Sequence, residues 1–340
     1  MQFAIEEDGP ERIRGWVVPD RPSALPALVA DIGRGGTRRL VATDPRPALL
    51  RDRRHPSGRC GFEIRRGDPL FDDDRLMLFE AGSHMLVYRR APANPIEVRL
   101  YFQQTQSSPV YDLERELRPL FRMTYGACET VAEEALRSIL GLDFTPSLLV
   151  SGLVPFRRAE PFVAAPRFRR VTLLSEPYRE PASRILRIRA LAEHATPGAA
   201  WRRLGQGPLI DALARVDLGS RRALDRALAR LTDEARLLLA DPVTRLLAAR
   251  IPGEILDERH AQIALERLAG FDLVGFDDDL STFLSGLEGL IGAPGALRQR
   301  PRDPPELVEL SALLATCPAA EPLLRLDTRV LSLAREALGR

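Results

Sequence analysis

The chain is expected to be an α/β protein, with a small all-β module at its amino end and then a parallel sheet covered by helices. Three observations lead there. Short β-type runs separated by Gly, Pro and Asp clusters fill residues 1–91. From Ile96 onward strand-like runs alternate with helix-like ones, the pattern of strand–helix–strand units. The last third carries mostly helical periodicity. A length of 340 residues accommodates a small domain and a larger one. The expected boundaries are 1–91 and 96–340, joined by the linker Ala91-Pro92-Ala93-Asn94-Pro95.

In the first module, Ile13–Val18, Ala27–Ile32, Arg39–Ala42, Gly61–Ile64 and Met85–Tyr88 read as strands. In the second region Val98–Phe102 is a strand, followed by a polar turn and a helix over Tyr111–Phe121. Thr130–Leu140 reads as a helix, Leu148–Ser151 and Val171–Leu174 as strands, and Pro181–His194 as a helix. Further on, Ser220–Leu239 presents Ala223, Leu224, Ala227, Leu228 and Leu231 on one helical face. Asp257 is placed to cap a helix, as is Asp278 or Asp279, with Gly292 as the stop of the latter. Ala293–Pro305 reads as a loop, and Glu306–Leu314 and Thr328–Leu338 as the final helices.

Composition narrows the function. A 45% hydrophobic and 28% charged chain is ordinary for a globular protein, and a formal net charge of +2 gives no strong attraction to nucleic acid. All 49 basic residues are arginine. Arginine stays charged at any working pH and cannot serve as a general base or a Schiff-base amine. The start MQFAIEEDGPER has no basic region followed by an apolar core, and no apolar run reaches the ~20 residues that span a bilayer. Cys60, Cys128 and Cys317 are widely spaced, so reduced thiols in a cytoplasmic protein are expected. No metal site is expected: the four histidines are scattered, and Asp72-Asp73-Asp74 reads as a solvated turn.

The stretch Arg99–Phe121, RLYFQQTQSSPVYDLERELRPLF, has the strand–turn–helix shape of a phosphate-binding loop without a glycine or a lysine. Its Gln103-Gln104-Thr105-Gln106-Ser107-Ser108-Pro109 turn offers an anion site, or Ser107 or Ser108 simply caps the helix. Two further segments end strands: Ser151-Gly152-Leu153-Val154-Pro155-Phe156, and Val171–Ser183, VTLLSEPYREPAS. Together these resemble the bacterial carbohydrate-type sulfotransferase family, which uses 3′-phosphoadenosine 5′-phosphosulfate (PAPS), over roughly Ile96–Gly292. That resemblance implies a P-loop-type fold and a donor site formed by Gln104, Thr105, Ser107, Ser108, Ser175 and Ser183. It also implies losses. Gln104 stands at the family's lysine position, Leu153 at its histidine, and Ser175 at its phosphate-binding arginine. A neutral amide stabilises a developing anion far less than a cation does, and leucine has no proton to exchange. Arg179 or Arg184 is placed to compensate. Asp241–Ala248, DPVTRLLA, and Ala264–Gly275 resemble later family segments, with Arg245 a candidate anion contact.

The first module resembles the β-sandwich attached to bacterial glycosyltransferases and sulfotransferases, through Gly15-Trp16-Val17, Asp44–Leu50 (DPRPALL) and Gly58–Glu63 (GRCGFE). Trp16 is either a sugar platform or, as is commoner, core. The leading expectation is therefore a sulfotransferase-family protein with a decayed donor site. It would act in glycan or protein-partner binding linked to surface-polysaccharide assembly. One alternative is an active PAPS-dependent enzyme sulfating a carbohydrate hydroxyl, and another is a structural or oligomerisation protein.

Overall fold

The structure, a computed structural model, describes residues 1–21, 24–32, 36–106, 113–164, 167–192, 207–251, 253–298 and 304–339. The protein is a mixed α/β molecule with a parallel five-stranded sheet flanked by helices and antiparallel sheets at its amino end.

The first part holds β1 (Gln2–Asp8), β2 (Arg12–Val18), β3 (Ala27–Asp31), β4 (Thr37–Val41), β5 (Asp44–Pro45), β6 (Arg59–Arg65), β7 (Met77–Glu80) and β8 (Leu86–Arg89). They form two antiparallel four-stranded sheets, β1-β2-β6-β5 and β4-β3-β7-β8. The short helix α1 (Pro47–Arg51) leads from β5 towards β6. Alternation along β2 sends Ile13 and Val17 into the main core and Trp16 and Val18 into a small cluster with Leu49 and Cys60. Trp16 is therefore core, with the Arg54 guanidinium 4.9 Å from its ring centre. β1 and β7 escape the sequence reading, because acidic residues and the Asp72–Asp74 turn mask their short apolar alternation. In that turn the Asp73 carboxylate accepts the Arg75 N–H at 2.7 Å.

The second part holds β9 (Arg99–Gln103), α2 (Leu113–Leu117), β10 (Met123–Tyr125), α3 (Glu133–Leu140), β11 (Leu148–Gly152), α4 (Phe156–Val163), β12 (Arg169–Leu174) and α5 (Arg179–Ala192). There follow α6 (Gly207–Leu213), α7 (Arg221–Ala229), α8 (Asp233–Leu239), α9 (Pro242–Ala248) and α10 (Glu258–Ala269). The chain then forms β13 (Leu273–Phe276), α11 (Leu280–Ile291), α12 (Pro305–Ala315) and α13 (Arg325–Ala337). The sheet order is β10-β11-β9-β12-β13, every pair parallel. β9, first in sequence, is thus central, and the chain leaves it in one direction and β12 in the other. The crevice at the carboxyl ends of such strands is where open α/β sheets place ligands.

Several elements differ from expectation. The single helix over Ser220–Leu239 is two, because Thr232 caps a new start: its side chain accepts the Ala235 N–H at 3.2 Å. The helix over Tyr111–Phe121 is only the five-residue α2 followed by a 3₁₀ turn at Arg118–Leu120, since Pro119 lacks the N–H to continue it. The helix expected from Thr130 begins at Glu133, after a 3₁₀ turn at Cys128–Thr130. α5 begins at Arg179, with Pro181 in its first turn. Asp257 caps α10 as expected, in a capping box completed by His260. Asp279 precedes α11 without a side-chain cap bond, and Gly292 closes it at φ 70°. Ser107, Ser108 and His194 lie outside the described residues.

The two parts share one core. Phe3, Ile13, Leu78 and Tyr88 belong to the same buried cluster as Tyr101, Leu136, Val150 and Phe276. Arg122, 7% exposed, bridges them: its Nη1 lies 2.7 Å from Asp8 Oδ2, and its Nε donates to the Arg89 carbonyl at 2.7 Å. The Tyr88 hydroxyl donates to Asp8 Oδ1 at 2.8 Å.

Candidate functional site

The turn after β9 is held by its own hydrogen bonds. The Tyr101 hydroxyl donates to Gln103 Oε1 at 2.8 Å, and Gln103 Nε2 donates to the Gln104 carbonyl at 3.0 Å. The Gln104 N–H donates to the Gly152 carbonyl at 3.1 Å, tying the ends of β9 and β11. Thr105 is buried, and its hydroxyl donates to the Leu173 carbonyl of β12 at 2.7 Å. Gln104, Thr105, Leu153 and Ser175 therefore follow the carboxyl ends of three adjacent strands. Ser175 and Ser183 are both buried, the latter in the early part of α5.

The helix after this turn is already occupied by carboxylates. α2 carries Glu114 and Glu116 in its first turn. Glu114 Oε2 accepts the Ser151 hydroxyl at 2.7 Å, and Oε1 pairs with Arg118 at 2.7 Å. Acidic side chains at a helix amino end satisfy its positive pole, so they stand in the way of a phosphate there. Glu129 supports the neighbouring strand end, where its Oε2 accepts the Leu153 N–H at 2.9 Å.

Beside these strand ends lies a cleft of about 1030 Å³. Thr105, Leu153 and Pro155 form its base, α3, α4 and α5 its walls, and α9 with Arg250 and Ile251 its far side. Its arginines are Arg137, Arg157, Arg158, Arg184, Arg245 and Arg250, against the carboxylates Glu133 and Glu180. Among the described lining residues, six cations against two anions leave four positive charges in excess. Glu133 lies between Arg158 at 2.9 Å and Arg137 at 3.2 Å, and its hydrogen bond to Arg158 holds its pKa below the usual range. Glu180 is paired with Arg184 at 2.8 Å. Arg157 donates to the Arg250 carbonyl, Arg184 to the Leu238 carbonyl, and Arg245 to the Glu254 carbonyl at 2.8 Å. A backbone carbonyl alone leaves a guanidinium charge uncancelled, but Arg184 also pairs with Glu180, and Asp241, Asp327 and Glu254 act on Arg245. The Arg245 Nε is buried with no partner among the described groups, and burial lowers its pKa.

Arg184, one of the two arginines expected to compensate, lines the cleft, as does the candidate anion contact Arg245. Arg179 instead pairs with Asp277 at 2.5 Å, next to the end of β13. Arg137, Arg157, Arg158 and Arg250 escape the sequence reading. One signal for two of them is Arg157-Arg158 at the start of α4, where a cation opposes the helix dipole and so needs another reason to be there.

Comparison with models of known protein families, with curated proteins and with solved structures finds no match. Among the described residues no helix is long and apolar enough to cross a membrane.

Proposed function

We propose that this chain is a binding protein built on a sulfotransferase-like sheet, and that its arginine-lined cleft holds an anionic ligand without transferring a group from it. The excess of four positive charges at the carboxyl ends of the central strands carries this reading. Four features argue against sulfuryl transfer. Thr105 spends its hydroxyl on Leu173. Glu114 occupies the amino end of α2. Leu153 offers no proton, and both cleft carboxylates are ion-paired, which removes their value as general bases. A PAPS-dependent transferase acting on carbohydrate is the alternative reading, with Gln104 on the sulfate and Arg184 on the nucleotide. A glycan or a protein of surface-polysaccharide assembly is the partner that the binding reading proposes.

Calorimetric titration with inorganic pyrophosphate tests the site. Saturable binding is expected, weakened about tenfold in Arg250→Glu, the scale of one lost charge-assisted hydrogen bond, and unchanged in Gln104→Ala. Loss in Gln104→Ala with full binding in Arg250→Glu would move the site back to the turn and sink the cleft reading.

A further inference from the structure

The cleft's charges are set around an apolar bed. Leu153, Phe162, Leu238, Leu246, Ala249 and Ile251 face it, and Ile251 is 61% exposed at its edge. Ile255, four residues on, is 84% exposed. Among the described residues the lining contains a single neutral polar side chain, Thr105, and its hydroxyl is committed to the Leu173 carbonyl. The Leu153 N–H is likewise committed to Glu129.

This inventory constrains the ligand. A nucleobase or a sugar ring brings several donors and acceptors, and each that leaves water unpaired costs affinity. The described lining offers such groups only arginines, which donate and never accept, and carboxylates already paired. A ligand body buried here is therefore apolar, while its head is anionic. Arg184, Arg245 and Arg250 line the cleft together and supply the cationic end that an anionic head would meet.

We infer that the cleft takes an anionic amphiphile, a phosphate- or sulfate-type head on an aliphatic chain. This inference rests on the anionic-ligand reading of the same cleft and narrows it. The head sits among Arg184, Arg245 and Arg250, and the chain lies along Phe162, Leu246 and Ile251 towards the exposed isoleucines.

Calorimetry with hexyl, octyl and decyl phosphate, each below its micelle concentration, tests it on the full chain. Affinity should tighten roughly threefold to fourfold per added methylene. Ile251→Ser, an exposed and foldable change, should flatten that gradient, and Arg250→Glu should weaken every member equally. A melting curve checks that each variant is folded. Phosphatidylglycerol vesicles separate the two sources of such a head: co-sedimentation identifies a bilayer lipid, and binding of decyl phosphate alone identifies a free amphiphile. Pyrophosphate binding with no gain from chain length overturns the amphiphile and leaves the anion cleft standing. No binding of pyrophosphate or of any alkyl phosphate overturns both.

Discussion

Asp327 is fully buried in α13, and burial first, then the charge of Asp241, pushes its pKa up to about 7. An unfolded aspartate titrates near ~3.9. Between those values the native state binds more protons than the unfolded one, so this group's contribution to stability falls as pH rises through that interval. Glu133, with a lowered pKa, acts with the opposite sign and below its ordinary value of 4.5, so the windows separate. Urea denaturation across pH 5–8 should show stability declining with pH, and Asp327→Asn should flatten the profile. At the strand end, Gly152 has φ 152°, and a Cβ there would lie 2.5 Å from Glu129 Oε2 and 2.6 Å from the Cys128 nitrogen. Gly152→Ala should cost about 1–3 kcal/mol, read as a lower urea midpoint. The sequence displays Gly152 as one more glycine in a turn. Its backbone angle depends on Glu129 and Cys128 arriving from another segment, which local pattern does not encode.

Helix ends were legible where the cap is local. Asp257 precedes its helix directly, and Asp257→Ala should lower the midpoint of chemical denaturation. They were not legible where the cap comes from elsewhere. The Asp241 carboxylate accepts the Leu326 and Asp327 N–H groups at 2.8 and 3.0 Å, at the start of α13. Asp327 in return accepts the Val243 and Thr244 N–H groups at 2.9 and 2.7 Å, at the start of α9. Each aspartate caps the other's helix across more than eighty residues, so no window of sequence contains both partners. The exchange fixes α9, and with it Arg245, against the body of the protein. Strands β9, β11 and β12 were read within one or two residues, because buried parallel strands are short continuous apolar runs. β10, three residues long, was missed for want of length.

At the scale of the whole molecule, the expected boundary near residues 91–95 falls between β8 and β9, yet the core continues across it. Arg122 is buried, whereas Asp8 lies on an exposed strand end with its side chain 18% exposed, so its carboxylate regains water when Arg122 is removed. Arg122→Ala, which removes this link and the bond to the Arg89 carbonyl, should cost about 1.5–3 kcal/mol, and far- and near-ultraviolet signals of the wild type should melt together. The cleft is likewise assembled from distant segments: its arginines come from α3, α4, α5, α9 and the residues after it. The family resemblance drew attention to three strand ends, and those do meet at one edge of the sheet. The cations beside them come from helices whose packing the motifs do not describe.

The decayed donor site is the claim on which the functional reading turns, and titration with adenosine 3′,5′-bisphosphate reaches it most directly. With the uncharged Gln104, Leu153 and Ser175 after the three strand ends and Glu114 at the helix end, no saturable binding is expected up to millimolar nucleotide. Micromolar binding that disappears in Ser183→Ala would contradict the account and favour an active donor site.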